Sequence, residues 1–478
     1  MIDQDKTAVL HMCSDAIKPN VYFVGAGGIG MSALVRYCLL QGHTVGGYDR
    51  SESHLLAQLR HEGACITLDE SAEAIPEAFR NPADTLVVYT PAVPDSHEGL
   101  RWFRDNGFEV VKRSELLGKI TRSTLGICFA GTHGKTTTSS MAAHILHQSS
   151  VGCNAFLGGI LRNYDSNLLL SATSAYSVIE ADEFDRSFHR LTPYIAVITA
   201  TDPDHLDIYG TEEAYLESFA HFTELIVPGG TLVVHTGLKL QPRPGQDVRV
   251  WTYGKAEGDF HAENIRRSDG CITFDLHTPD GMIRDITPGV PVEINIENTI
   301  AAIAGVYATG HMEIDRMREA VATFMGPKRR FEFLLREPAP SSRVVIDDYA
   351  HHPDELRASI TSVKSLYPGR TLTVVFQPHL YSRTRDFAAE FAAALDIADE
   401  AVLVELYPAR EEPIEGISEQ TIARLMANPR HTVLTKKEFA EWMRQGGFDV
   451  LLNVGAGDVS DMLPPIVEYI KMHPKNIN

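Results

Sequence analysis

The chain has 478 residues, 44% of them hydrophobic, and a formal net charge of −20. That length suggests about three domains of ~150 residues each, and the acidity argues against non-specific nucleic-acid binding, which needs a basic surface. No run approaches the ~20 consecutive apolar residues of a membrane span, so no membrane insertion is expected. The polar start, Met1-Ile2-Asp3-Gln4-Asp5-Lys6, does not lead into an apolar stretch, so no signal peptide is expected. The six cysteines contain no C-x-x-C pair and read as reduced thiols of a cytoplasmic protein.

Residues 1–120 read as a Rossmann-like α/β domain. An apolar strand, Val21-Tyr22-Phe23-Val24, runs into Gly25-Ala26-Gly27-Gly28-Ile29-Gly30, then a helix over 31–41. A second strand over 44–48 ends at Asp49. This is the G-x-G-x-x-G fingerprint with an acid about 20 residues on, the pattern that holds a diphosphate at a helix N-terminus. Gly25, Gly27, Gly28 and Gly30 would crowd the diphosphate, with Asp49 near a ribose or base. The fingerprint leaves open whether the ligand is a dinucleotide or a nucleotide sugar. Further strands are expected at 85–89 and 110–112.

Residues 121–335 read as a central ATP-binding domain of P-loop type. The apolar strand Leu125-Gly126-Ile127-Cys128-Phe129 precedes Ala130-Gly131-Thr132-His133-Gly134-Lys135-Thr136-Thr137-Thr138, and a helix is expected over 139–147. Glycines bring backbone N–H groups close to a phosphate. Lys135 reaches the outer phosphates, and the Thr136 hydroxyl can hold Mg²⁺. The strict motif wants glycine where Phe129 stands, so this is a shortened variant. A strand over 175–179 delivers Glu180-Ala181-Asp182-Glu183-Phe184-Asp185 to a sheet edge where ligands bind. Glu180 is the expected Mg²⁺ carboxylate, with Asp182 and Glu183 behind it. The strand over 194–199 ends near Thr201-Asp202-Pro203-Asp204-His205, and His205 is a candidate ligand for a second metal. Another strand is expected at 231–234. Residues 237–247 are Pro- and Gly-rich and predict a loop, 255–295 alternate like antiparallel strands, and 296–309 predict a helix.

The stretch Glu337-Pro338-Ala339-Pro340-Ser341-Ser342 marks a boundary, and 336–478 read as a second Rossmann-like domain. Its strands are expected at 344–346, 371–376, 401–404 and 450–454, with a helix over 388–396. The alternation predicts a parallel sheet with right-handed crossovers. Basic clusters at Lys328-Arg329-Arg330 and at Arg383 with Arg385 stand out against the acidic background.

The motifs G-T-H-G-K-T-T, E-A-D-E-F-D and D-P-D-H-L-D resemble, in that order, those of the Mur ligases, ATP-dependent amide-forming enzymes of peptidoglycan precursor synthesis. Asn295 and Asn298, Lys328-Arg329-Arg330-Phe331, Asp347-Asp348-Tyr349-Ala350-His351-His352-Pro353 and Phe376-Gln377-Pro378-His379-Leu380-Tyr381-Ser382-Arg383 extend the likeness along nearly the whole chain. The last two look like the branch that adds alanine. The resemblance implies three domains holding UDP-N-acetylmuramate, then ATP with metals, then L-alanine, as a monomer or homodimer. The lactyl carboxylate would become an acyl phosphate, which the alanine amine attacks. The resemblance carries Lys135 and Thr136 over to the phosphates and Mg²⁺, and Glu180 with His205 to a metal pair. It places Asn295, Asn298 and Arg330 near the nucleotide, and Tyr349, His351 and Arg383 in the alanine pocket. His351 is the candidate base, and Arg383 the clamp on the alanine carboxylate.

Three departures stand out. Leu380 occupies a position where the family often has Arg, which shifts the carboxylate contact to Arg383. Phe219 stands where sister ligases carry a carbamylated Lys, which argues against those sisters. Ile294 replaces the usual His beside Asn295. The rival readings are a recycling ligase that joins a murein tripeptide to the same sugar nucleotide, a regulatory nucleotide-binding protein of this fold, and an oxidoreductase using the Gly25 loop. The intact Lys135, Glu180 and His205 speak against a regulator, and a second phosphate loop is unexplained in an oxidoreductase.

Overall fold

The computed structural model describes residues 17–171, 173–203, 206–268, 270–337, 342–409 and 411–473. Three α/β modules follow one another, with a small antiparallel sheet added. Strands β1 (Asn20–Val24), β2 (Thr44–Tyr48), β3 (Cys65–Thr67), β4 (Thr85–Tyr89) and β5 (Glu109–Lys112) form a parallel sheet ordered β3-β2-β1-β4-β5. The chain enters at the centre, so the turn after β1 opens at the point where strand order reverses. That is where open α/β sheets bind ligands.

The second sheet contains β6 (Leu125–Ala130), β7 (Asn154–Leu161), β8 (Ser166–Leu169), β9 (Tyr176–Ala181), β10 (Pro193–Ile198), β11 (Thr231–His235) and β12 (Arg249–Tyr253). Its order is β12-β11-β10-β6-β9-β7-β8, and β7 with β8 is antiparallel. Every residue of β6 is buried, as its unbroken apolar run requires of a strand covered on both faces. Strand β9 runs two residues beyond the expected end, so Glu180 sits within it, paired in register with Phe129. One continuous core joins the first two sheets, from Val21 and Phe23 through Cys128 and Ile179 to Tyr215 and Phe219. Phe219 is fully buried against the ring of Phe188, centroids 5.1 Å apart.

Strands β13 (His261–Ser268), β14 (Cys271–Thr278) and β15 (Gly281–Ile286) form the small sheet, where the alternating pattern placed antiparallel strands. The last sheet holds β16 (Glu332–Arg336), β17 (Val344–Asp348), β18 (Leu372–Phe376), β19 (Glu400–Val404), β20 (His431–Leu434) and β21 (Val450–Val454), ordered β16-β17-β21-β18-β19-β20. It is parallel except for β16, which precedes the Pro-rich stretch and pairs antiparallel with β17. The chain divides into two compact units, the second comprising this C-terminal sheet with Arg266–Thr273 and Val290–Asn295. No helix of the described residues is long and apolar enough to cross a membrane.

Candidate functional site

The phosphate loop is fixed by its glycines and by neighbouring strand ends. Gly131 has φ +142°, and a Cβ there would stand 2.2 Å from Thr199 Oγ1 and 2.7 Å from the Ala200 nitrogen. Gly134 has φ +82° and caps the helix Lys135–Gln148, which therefore begins four residues before the expected start. Only glycine adopts both backbone conformations without strain. Thr132 Oγ1 donates to the Asp202 carbonyl at 2.7 Å, and Thr199 Oγ1 donates to the carbonyl of exposed His133 at 2.5 Å. The Asn298 side-chain Oδ1 accepts from Thr138 Oγ1 at 3.3 Å and would stand 2.9 Å from a Cβ on Gly134. Thr137 sits half-buried in the first helical turn.

Lys135 is already engaged. Its Nζ donates to the Gly131 carbonyl at 2.6 Å and stands 2.9 and 2.8 Å from the two carboxylate oxygens of Glu183. The Glu183 side chain is 2% exposed. Burial pushes its carboxyl up and the Lys135 charge pulls it back. Thr136 Oγ1 donates to Glu180 Oε1 at 2.9 Å, while the Gly158 N–H donates to Oε2 at 2.9 Å. Burial also raises the Glu180 carboxyl, against the Thr136 hydrogen bond and Lys135. Among the described residues no three His, Cys, Asp or Glu side chains converge as a metal site. One hydroxyl and one carboxylate meeting at a point fit Mg²⁺, which takes few protein ligands and fills the rest with water and phosphate. His205 lies outside the described residues.

The Gly25 loop closes on itself. Gly25 has φ +90°, and the Gly27 N–H donates to Asp49 Oδ2 at 2.7 Å, so Asp49 braces the loop. Gly28 caps the helix Ile29–Leu40 without a side-chain hydrogen bond to its first turn, leaving N–H groups for an anion. A Cβ on Gly30 would stand 2.3 Å from Nη1 of Arg113.

In the C-terminal module, Tyr349 and His351 follow β17, and Arg383 lies in the helix Tyr381–Asp386 beyond β18. The rings of Tyr349 and His351 are 5.1 Å apart, and the Arg330 guanidinium stands 5.4 Å from the Tyr349 ring centroid. His351 Nδ1 donates to the Tyr349 carbonyl at 2.9 Å, which leaves Nε2 as the lone-pair nitrogen of the neutral ring. Burial holds the His351 imidazole below its ordinary range, opposed by Glu355, with Arg383 and Arg330 adding to the depression. Arg383 also bears on His379, whose buried Nδ1 has no hydrogen-bond partner. Among the described residues no hydrogen bond or ion pair engages the Arg383 guanidinium. Leu380 has φ +69°, an unusual conformation for a branched side chain. Asn295 spends its amide on the Val290 carbonyl at 3.1 Å, and Ile294 is 59% exposed.

Sequence reasoning placed Glu183 only behind the metal carboxylate and missed Arg113 altogether. The signal for Glu183 was an acid three residues beyond Glu180 on a strand paired to β6. No sequence signal ties Arg113 to Gly30, because their contact depends on where the helix Arg113–Arg122 starts after β5.

Models of three family modules match this chain: "Mur ligase family, catalytic domain" over residues 20–124, "Mur ligase middle domain" over 129–306 and "Mur ligase, glutamate ligase domain" over 329–457. The UDP-N-acetylmuramate–L-alanine ligase of Parabacteroides distasonis is 56% identical over 451 residues, 94% of this chain and 97% of that one. The enzyme of the same name from Porphyromonas gingivalis strain W83 is 49% identical over 95% of this chain and 99% of its own length. The crystal structure of UDP-N-acetylmuramate–alanine ligase from Thermotoga maritima superposes with a TM-score of 0.77 at 27% identity, covering 95% of this chain and 99% of that one.

Proposed function

The chain belongs to the Mur ligase family, and we propose on that premise that it joins L-alanine to the lactyl carboxylate of UDP-N-acetylmuramate, with ATP converted to ADP. One observation carries the reading: a ligase of that name is 56% identical across 94% of this chain. The chemistry follows from the residue types. A carboxylate is a poor electrophile, so its oxygen first takes the γ-phosphoryl group, and the bond to the ADP oxygen breaks. Catalysis of that transfer is mostly positioning and charge neutralisation. Lys135 supplies one charge, and Thr136 with Glu180 would hold the Mg²⁺ that would supply the other. By family likeness, His205 is assigned to a second metal, and Asn295, Asn298 and Arg330 to nucleotide contacts.

The amine of alanine then attacks the acyl carbon, and phosphate leaves with the C–O bond electrons. The amine must shed a proton, and Nε2 of a neutral His351 can take it. The unengaged Arg383 guanidinium supplies a planar fork for the alanine carboxylate, beside Tyr349. The Gly25 loop, through Gly27, Gly28 and Gly30, holds the diphosphate of the sugar nucleotide, and Asp49 keeps that loop in shape. The reaction is placed in the cytoplasm, where both nucleotides are available.

The test is ADP release by purified protein with each component omitted in turn. Turnover is expected only with ATP, Mg²⁺, UDP-N-acetylmuramate and L-alanine together. Turnover with a murein tripeptide and none with alanine identifies the recycling ligase instead.

A further inference from the structure

The acidic turn after β9 meets a cation at each of its three acids. Glu183 holds Lys135 of the phosphate loop at 2.8 Å. Asp182 lies 3.8 Å from Arg113, and Asp185 lies 3.5 Å from Lys112. The last two cations stand in the first module where β5 gives way directly to the helix Arg113–Arg122. Arg113 has a second neighbour. Its Nη1 fills the space a side chain would take at Gly30, in the first turn of the helix that the glycine loop opens. The third glycine of the fingerprint ordinarily lets helix and strand pack closely. Here it makes room for a guanidinium. The backbone of Gly30 does not have positive φ, so chain conformation is not what demands glycine there.

We propose that Arg113 is the cation that binds the diphosphate of the sugar nucleotide, and that Asp182 competes with the diphosphate for it. The proposal rests on the reading of the Gly25 loop as the sugar-nucleotide site. A helix N-terminus supplies N–H groups and a partial charge, but a diphosphate entering a chain of net charge −20 needs a full charge as well. Arg113 stands at that loop, and its planar fork suits two phosphate oxygens. Its ion pair with Asp182 is long and partly exposed, with side-chain exposures of 30% and 44%. Such a pair contributes little, so the guanidinium is free to turn to a stronger anion.

Competition fixes the sign of each effect. The experiment measures the affinity of the full chain for UDP-N-acetylmuramate, UDP and uridine by calorimetric titration, with circular dichroism to confirm folding. Arg113→Ala is expected to weaken UDP about tenfold or more and to leave uridine unchanged, since uridine has no phosphate. Asp182→Asn removes the competitor and is expected to tighten UDP several-fold. Gly30→Ala pushes the flexible end of Arg113 aside and is expected to reproduce Arg113→Ala, with no further loss in the double variant. A general structural defect would move uridine and UDP alike, and that result overturns the proposal. So does an Asp182→Asn variant that fails to tighten UDP. If the wild-type chain binds UDP-N-acetylmuramate and Arg113→Ala is unaffected, only the role of Arg113 falls. A wild-type chain with no affinity for the sugar nucleotide overturns the glycine-loop reading as well.

Discussion

Arg383 and Lys135 are both cations assigned to anionic substrates, yet they stand in opposite conditions. Lys135 is balanced by a buried carboxylate, whereas the Arg383 guanidinium is unengaged among the described residues. An amino-acid carboxylate entering beside His351 must lose water, and an unpaired buried carboxylate is costly. Arg383→Lys keeps the charge and loses the fork, so it is not a conservative change. It should raise the KM for alanine about tenfold, roughly 1.4 kcal/mol, with the KM for ATP little changed. Steady-state kinetics with each substrate varied in turn checks this, and a defect in ATP alone would move Arg383 to the nucleotide. The sequence made Lys135, Thr136 and Glu180 legible because a strand, a glycine turn and a helix fix where they stand. Glu183 was less so. Its pairing with Lys135 depends on β9 reaching Ala181, and strand ends are the least readable part of a pattern.

The helix Lys135–Gln148 begins at the phosphate loop and buries His144 about two and a half turns later, 2% exposed. Its Nδ1 is 2.7 Å from the Tyr164 hydroxyl and its Nε2 is 3.2 Å from Thr323 Oγ1. Burial, with His147 second, pushes this imidazole down to about 4. The unfolded ring titrates near ~6.5, so in between the unfolded chain binds a proton that the folded chain excludes. Stability from this group is full above about 6.5 and is lost as pH falls toward about 4, by ~3 kcal/mol. Asp347 acts oppositely, since burial lifts its carboxyl to about 6 and acid relieves that cost. The difference between wild type and His144→Gln isolates the imidazole. Urea unfolding from pH 7 to 4.5 should show the wild type losing more stability than the variant, and parallel curves would return His144 to a neutral packing role. The helix itself was legible except at its start, because a left-handed Gly134 sets the cap. Strands β3, β7, β8, β12, β16 and β20 went unread. Their short runs lack clear alternation, and their place comes from pairing with strands distant in sequence.

The three modules share one device. The Gly25 loop follows β1, the phosphate loop follows β6, and the Tyr349–His351 turn follows β17, each at the carboxyl end of a parallel strand. Ligands bind at that end of open α/β sheets, so the proposed reaction would give the sugar nucleotide, the nucleoside triphosphate and the amino acid a module each. The three loops were readable because each motif lies where an apolar strand gives way to glycine or to polar residues. The proposed reaction turns on activation of the lactyl carboxylate by the γ-phosphoryl group of ATP. Turnover of UDP-N-acetylmuramate labelled with ¹⁸O in both carboxylate oxygens, with L-alanine and ATP, tests this most directly. The account predicts one ¹⁸O atom in each inorganic phosphate released and one retained in the new amide. Phosphate free of label, or label carried into AMP, would contradict it.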